Sequence, residues 1–147
     1  MIRFFDSTGF VKALVQEEKG HRQAASLLEE PAGRNLGFAT ARIAALEALS
    51  KVWRLAGDAG ELRKLERHFE KFAFYELDAD YELAREIILR TNLKGADAGI
   101  LAVALGVSRR ERVAVQFVSA DADPLKAARR LAGKEKLRVV PLPGGLA

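Results

Sequence analysis

Short apolar runs alternate along the chain with longer segments in which apolar residues recur three or four positions apart. The first run, Ile2–Phe5, is followed by Asp6 and Ser7 and then by such a segment, a pattern typical of a strand, a tight turn and a helix. Similar runs predict strands at 36–40, 72–77, 115–119 and 137–140. The other segments predict helices at about 20–29, 41–55, 58–71, 79–90, 95–106 and 124–132.

Strands that alternate with helices throughout indicate parallel pairing, because a parallel connection needs a crossover long enough to hold a helix. We therefore expect an α/β fold with three layers, α/β/α, around a central parallel sheet of about four to five strands. The chain has 147 residues, which is enough for one sizeable core and too few for two ordinary domains. Residues 1–147 are predicted to form a single domain.

Residues that favour helix ends refine the predicted boundaries. Asp78 is expected to cap the helix that follows it. Gly95 is expected to open a helix that ends at Gly106. Asp123 and Pro124 form a cap followed by proline at the first helical position, and this pair predicts the start of the last helix.

The composition excludes several kinds of chemistry. The chain has no cysteine, which excludes disulfides, thiolate nucleophiles and cysteine-ligated zinc or iron. No apolar run approaches the roughly 18 residues that cross a membrane, so a cytoplasmic protein is expected. The formal net charge is +4, and a positively charged protein attracts polyanions before any specific contact forms. An anionic partner is therefore plausible.

Two acidic residues follow predicted strands. Asp6 comes directly after the first strand, and Asp121 comes shortly after the strand that ends at Ser119. In an open parallel sheet, functional groups collect in a crevice at the carboxyl ends of the strands. Asp6 could instead cap the next helix. Asp121 has no such alternative in this interpretation, because Asp123 and Pro124 already supply the cap.

A third acid, Glu47, is predicted to lie on a buried helical face. Its side chain falls on the same arc as a set of mainly apolar residues, Ile43, Leu46, Ser50 and Trp53. A lone carboxylate on a buried face is costly unless it is paired, protonated or bound to a cation. The alternative is an ion pair with Lys51 or Arg54 on the same helix.

A fourth acid, Asp97, shares a helical arc with Ile100, Leu101 and Ala104. It could simply interact with the helix dipole in the first turn. Taken together, however, the four acids supply only oxygen ligands, which suit hard divalent cations. A cation would also offset the repulsion between close carboxylates. The set predicts a site for Mg²⁺ or Mn²⁺.

Four short motifs carry these acids in order along the chain. They are Phe4-Phe5-Asp6-Ser7, Ala45-Leu46-Glu47, Ala96-Asp97-Ala98 and Phe117-Val118-Ser119-Ala120-Asp121, and the terminal Leu137-Arg138-Val139-Val140-Pro141 follows them. This order resembles the PIN-domain ribonucleases, and most closely the small VapC-type toxins of toxin–antitoxin pairs. The resemblance covers nearly the entire chain. Gly99 departs from it, since many relatives have a larger apolar residue after Asp-Ala.

The resemblance implies a metal-dependent endoribonuclease that hydrolyses RNA phosphodiester bonds with Mg²⁺ or Mn²⁺. Its catalytic and metal-binding residues would be Asp6, Glu47, Asp97 and Asp121. Glu47 is left open as a ligand or as a general base that acts through a water. Further polar residues are expected beside them, at Ser7, Ser119 and Asp123. The two serines could position waters or a phosphate oxygen, or they could satisfy backbone groups in turns.

The resemblance also implies partners. These are an RNA substrate, a small protein antitoxin that occupies the crevice, and a second copy of the chain in a homodimer built on helices of the N-terminal half. A non-catalytic PIN-like module that binds RNA or a protein is the alternative. Basic residues that could hold the phosphate backbone are Lys12, Lys94, Arg109, Arg110, Lys126, Arg129 and Arg130.

Overall fold

The computed structural model describes residues 1–144. Five strands in this range form one sheet: Ile2–Phe5 (β1), Gly37–Ala41 (β2), Phe72–Tyr75 (β3), Val115–Ser119 (β4) and Leu137–Pro141 (β5). The α-helices are Ser7–Leu14 (α1), His21–Glu29 (α2), Arg42–Ala56 (α3), Ala59–Phe69 (α4), Tyr81–Thr91 (α5), Gly95–Glu111 (α6) and Ala122–Leu131 (α7). The strand order is β3-β2-β1-β4-β5, and every pairing is parallel.

The sheet has a hydrophobic core on each face, because successive side chains of a strand point to opposite sides. Phe4 of the central strand belongs to the core that contains residues of α5, α6 and α7. Phe5 belongs to the core that contains residues of α1, α2 and α4. The predicted three-layer α/β/α architecture with a parallel sheet is therefore confirmed.

The connectivity brings the carboxyl ends of β1 and β4 together. From β1 the chain adds β2 and β3 on one side, and it then crosses back to add β4 and β5 on the other. Phe5 pairs with Val118 in the register of β1 and β4. The residues that follow each strand, Asp6 and Asp121, consequently emerge at one edge of the sheet, where the strand order reverses.

Two predicted helix boundaries are wrong, and both involve Asp80. The helix predicted to end at Gly106 continues to Glu111. Gly106 does not end the helix but lets it pack closely against Asp80. A Cβ atom at Gly106 would lie 2.1 Å from Oδ1 of Asp80, whose carboxylate accepts hydrogen bonds from Arg110 at 2.7 and 3.2 Å. Asp78 does not cap an α-helix, since residues Asp78–Asp80 form a 3-10 turn before α5.

The extent of the domain stays a prediction. The strands and helices described above fall within residues 1–144, and residues 145–147 of the predicted single domain lie outside the described residues. No helix within the described range is both long and apolar enough to cross a membrane.

Candidate active site

Asp6 is buried at the junction of β1 and α1. Its side chain caps α1, as the alternative interpretation expected, and its Oδ1 accepts hydrogen bonds from the Thr8 hydroxyl at 2.7 Å and the Gly9 amide at 2.9 Å. The Ser119 hydroxyl, at the end of β4, donates to Oδ2. Gly9 permits this close packing, because a Cβ there would lie 2.9 Å from the Phe5 ring and 3.0 Å from the Val118 carbonyl oxygen.

Burial changes the ionisation of Asp6. Removal from water raises its pKa to about 6, and the nearby charge of Asp121 acts in the same direction. The hydrogen bonds from Ser119, Thr8 and Gly9 favour the charged form but do not cancel the effect of burial. The ionised carboxylate is therefore destabilised in the folded protein at neutral pH, and a nearby cation would relieve that cost.

Asp121 is the N-cap of α7, so the prediction that Asp123 and Pro124 start this helix is wrong. The Asp121 backbone is extended, and its carboxylate accepts a hydrogen bond from the Asp123 amide at 3.3 Å. Pro124 is tolerated inside the first turn because an amide there needs no intrahelical partner. The Asp121 amide is held by the Ser119 hydroxyl at 3.1 Å.

Glu47 lies on α3, whose buried face differs from the predicted one. Three residues of the predicted buried arc, Ile43, Leu46 and Trp53, are 45%, 63% and 52% exposed. The helix packs instead through small residues, namely Ala44, Ala45 and Ala48, together with Val52. Small side chains let a helix approach a sheet closely, whereas the apolar pattern alone does not reveal which apolar face meets the core.

Glu47 itself is half-buried between these two faces. Its Oε1 atom is buried and has no hydrogen-bond partner among the described residues. Neither Lys51 nor Arg54 forms an ion pair with it in the described part of the chain. A buried carboxylate oxygen without a partner is energetically costly. The cost predicted for Glu47 therefore arises at the edge of the buried face of α3 and not on the predicted arc.

Asp97 lies in the first turn of α6, and its predicted arc of Ile100, Leu101 and Ala104 is buried. Partial burial raises the pKa of Asp97, and the neighbouring charges of Asp121 and Glu47 raise it further. Lys51 and Lys94 act in the opposite direction. The carboxylates of Asp121 and Glu47 are thus each close enough to Asp97 to repel its carboxylate.

A narrow crevice brings most of the predicted residues together. Its lining includes three predicted ligands and the hydroxyl residues beside them, namely Asp6, Asp97, Asp121, Ser7 and Thr8, together with Lys51. It leaves about 10 Å³ to a water-sized sphere, which is room for about one water or ion. Thr8, Lys51 and Asp121 also line a neighbouring groove of about 630 Å³, which Arg129 borders.

The chemistry of the crevice fits a hard divalent cation, because the donor atoms of its three acids are oxygens. Within residues 1–144, however, no three Asp, Glu or His side chains are arranged to hold one metal ion as they stand. Glu47 is not among the residues that line the crevice. A cation held by three or more of these acids would therefore require their side chains to rearrange.

Thr8 and Lys51 are functional candidates that the sequence analysis missed. The Thr8 hydroxyl donates to Asp6 and accepts from the Ala120 amide at 2.8 Å, so it joins the two strand ends. The position of Thr8 two residues after a helix-capping acid could have signalled this role. The Lys51 ammonium donates to the Ser7 hydroxyl at 3.2 Å. Its position one turn after Glu47 was interpreted only as a possible ion-pair partner.

Three of the predicted phosphate contacts are wrong. Lys12 is fully buried, and its ammonium lies 3.4 Å from the Glu18 carboxylate. Arg109 and Arg110 lie in the last turn of α6, far from Asp97 in the first turn, where they pair with Glu135 and Asp80. The sequence alone does not reveal which basic side chains form ion pairs within the protein. The remaining four line two pockets along α7, namely Lys94, Lys126, Arg129 and Arg130.

Comparison with known proteins gives one family. The sequence pattern of the PIN domain matches residues 3–131. No curated protein matches the chain in sequence.

Solved structures with the same fold come from toxin–antitoxin systems. VapBC2 from Rickettsia felis, solved with a promoter DNA fragment, has a TM-score of 0.63 at 16% identity, covering 97% of this chain and 99% of that one. VapC20 from Mycobacterium tuberculosis, a toxin that cleaves the sarcin–ricin loop, has a TM-score of 0.65 at 18% identity, covering 85% and 94%. VapBC-1 from nontypeable Haemophilus influenzae has a TM-score of 0.61 at 12% identity, covering 96% and 98%.

The raised pKa of Asp6 predicts how stability depends on pH without metal. Because the pKa is about 6 in the folded protein against 3.8 ordinarily, the wild type loses stability as the pH rises from about 4 to above 6. An Asp6→Asn variant has no carboxylate to ionise at this position. Its free energy of unfolding relative to wild type should therefore increase by up to about 3 kcal/mol across this pH range. Urea denaturation with a chelator measures the difference. Asp58→Asn, at the exposed cap of α4, is the matched control, and a pH-independent difference for Asp6→Asn would contradict the assignment.

Proposed function

The chain belongs to the PIN-domain family, and from this premise we propose that it is an endoribonuclease that hydrolyses RNA phosphodiester bonds with Mg²⁺ or Mn²⁺. The observation that carries the proposal is the buried, unpartnered Oε1 of Glu47. It belongs to a set of carboxylates that repel one another at the carboxyl edge of the sheet. Such a set is costly in the empty site, and a cation is the group that makes it favourable.

The cation would be held by Asp6, Asp97 and Asp121, with Glu47 either binding a second ion or acting as a general base through a water. When bound, a divalent cation supplies Lewis-acid chemistry to phosphodiester hydrolysis. Asp6 is the most rigid of the four, since the Thr8 and Ser119 hydroxyls and the Gly9 amide fix both of its oxygens. Thr8 and Ser119 therefore orient the carboxylate and keep it ionised for metal binding.

Lys51 supplies positive charge on the substrate side of the acids. It lines both the narrow crevice and the wider groove, so it stands where a phosphate in the groove would approach Asp121. Only one hydrogen bond, to Ser7, is made by its ammonium among the described residues, which leaves donors for a phosphate oxygen. Lys51 can thus stabilise the negative charge that develops on the phosphate. Arg129, on the other side of the groove, can hold the RNA backbone.

We extend the proposal to partners. The similar structures include complexes of toxins with antitoxins, which supports a toxin whose small protein antitoxin covers the crevice. The exposed apolar stripe of α3, formed by Ile43, Leu46 and Trp53, supports a homodimer, because a contiguous exposed apolar face marks an interaction surface. This stripe lies in the N-terminal half, where the resemblance places the dimer contact.

A second function is favoured by a specific observation. Because no three acidic or imidazole side chains in residues 1–144 are arranged to hold an ion as they stand, the chain could be a non-catalytic PIN-like module that binds RNA or a protein. The two functions differ in whether the acids bind a metal, and metal binding can be measured separately from activity.

Purified protein should cleave single-stranded RNA with Mn²⁺ and not with a chelator. Asp6→Asn and Glu47→Gln should each lower the rate at least about 100-fold, since each removes a charge on which metal binding depends. Calorimetry should detect Mn²⁺ binding to wild type and its weakening in both variants. Glu86→Gln, an exposed acid on α5, is the control and should match wild type. RNA binding without either Mn²⁺ binding or cleavage would establish the non-catalytic module instead.

Lys51→Met should lower the turnover of RNA by on the order of 100-fold while leaving Mn²⁺ affinity close to that of wild type, because it removes a donor to the developing phosphate charge. Lys51→Arg should recover part of the activity. Lys64→Met, which removes an exposed ammonium on α4, is the matched control. Normal turnover in Lys51→Met would exclude Lys51 from the reaction.

Light scattering after size-exclusion chromatography should give twice the mass of one chain. Replacing Leu46 and Trp53 together by glutamate should give a monomer, since both side chains are exposed on the α3 stripe and their replacement leaves the core unchanged. Gln23→Glu on the exposed side of α2 is the control for added negative charge. A monomeric wild type rules out the homodimer.

A further inference from the structure

A second pocket lies beside the acidic crevice, between the starts of α6 and α7. It encloses about 270 Å³, and three cationic side chains line it, those of Lys94, Lys126 and Arg130. One carboxylate, that of Asp123, also lines it. The pocket therefore carries three formal positive charges against one negative charge, whereas the neighbouring crevice is dominated by acids.

The three cations are not used to hold the described part of the fold together. None of Lys94, Lys126 and Arg130 makes an ion pair or a side-chain hydrogen bond within residues 1–144. By contrast, Arg109 and Arg110 pair with acids elsewhere. Lys126 and Arg130 are four residues apart on α7, so their side chains lie on one face of the helix. Like charges gathered in one pocket repel each other, and a bound anion would offset that repulsion.

The start of α6 adds to the positive potential of the pocket. Lys94 is the N-cap residue of this 17-residue helix, and its side chain makes no capping hydrogen bond to the first turn. Unsatisfied amides and the helix dipole favour an anion at this end. An anion in the pocket would thus meet side-chain cations from α7 together with the amino end of α6.

The pocket and the acidic crevice are lined by residues that are close neighbours in the chain. Asp123 lines the pocket, and its backbone amide donates to the carboxylate of Asp121 in the crevice. Lys94 lines the pocket and Asp97, three residues later, lines the crevice. A group bound in the pocket therefore lies near the acids of the crevice, on a different face of α7 from the groove that Arg129 borders.

We propose that this pocket binds the backbone phosphate of single-stranded RNA adjacent to the phosphate that is hydrolysed. The inference rests on the proposed nuclease function. A phosphodiester suits the pocket because a guanidinium and two ammonium groups can together contact its two free oxygens. A single strand suits it because the strand can run from the groove, over the start of α7, into the pocket, and so place consecutive phosphates on cations at both ends.

Fluorescence anisotropy of a labelled single-stranded RNA, with a chelator to prevent cleavage, tests the assignment. A pocket variant, Lys94→Gln, Lys126→Gln and Arg130→Gln, is compared with a control variant of equal charge, Arg22→Gln, Arg63→Gln and Arg85→Gln, whose three residues are exposed on α2, α4 and α5. The pocket variant should bind at least about 10-fold more weakly than wild type, and the control variant at most about 3-fold. The slope of log affinity against log salt should fall by about 0.7 for each phosphate that the variant no longer neutralises.

Asp123→Asn provides a test that a folding defect cannot imitate. It removes the single carboxylate of the pocket and should therefore strengthen RNA binding about 2- to 5-fold at moderate salt, while Glu111→Gln, an exposed acid at the far end of α6, should not. Weaker or unchanged binding by Asp123→Asn counts against the phosphate assignment.

The remaining outcomes separate this inference from the nuclease proposal. If RNA affinity falls equally in the pocket variant and the control variant, RNA binding depends only on net charge. That result overturns the inference even if the protein cleaves RNA. Pocket-dependent RNA binding without Mn²⁺-dependent cleavage retains the inference and rejects the nuclease. If RNA binds wild type and the pocket variant equally while polyglutamate binds wild type but not the pocket variant, the pocket receives an acidic peptide, and the inference is wrong.

Discussion

The carboxylate of Asp6 connects four segments of the chain through hydroxyl and amide groups. Thr8 donates to it and accepts from the Ala120 amide, and Ser119 donates to it and accepts from the Asp121 amide. Through these links the starts of α1 and α7 are positioned against the ends of β1 and β4. Removing any member leaves a buried polar group without a partner, which is costly. The geometry of the crevice therefore depends on one buried, hydrogen-bonded acid.

Small residues make this arrangement possible. Gly9 lets α1 lie against Phe5 and the carbonyl of Val118, and the alanines of α3 let that helix approach the sheet and carry Glu47 toward the same edge. The long helix α6 is buried from Ala98 to Ser108, so the backbone of Asp97 is held by a well-packed helix. The acids thus sit on rigid elements, whereas the cations that face them are on more exposed surfaces.

Much of the fold could be predicted from periodicity. In a parallel α/β fold, short apolar runs indicate buried strands, and apolar residues three or four positions apart indicate helices. Errors arose where one residue type serves two purposes. Gly106 was interpreted as a helix end, although it makes room for Asp80, and the apolar stripe of α3 was interpreted as core, although it faces solvent. The prediction that Asp121 has no capping role was also wrong, since Asp121 caps α7. Lys12 was named as a candidate phosphate contact because of its charge, yet it is buried near Glu18.

The strand order has a consequence for synthesis. The chain begins with β1, which lies in the middle of the sheet, but one of its two neighbours, β4, is made only after residue 114. Asp6 and its partner Ser119 are 113 residues apart in the chain, so the crevice cannot assemble until most of the protein has left the ribosome. Domains generally fold as their residues emerge, and here Asp6 and Asp121 stay separated throughout most of translation. The crevice is therefore one of the last parts of the molecule to form.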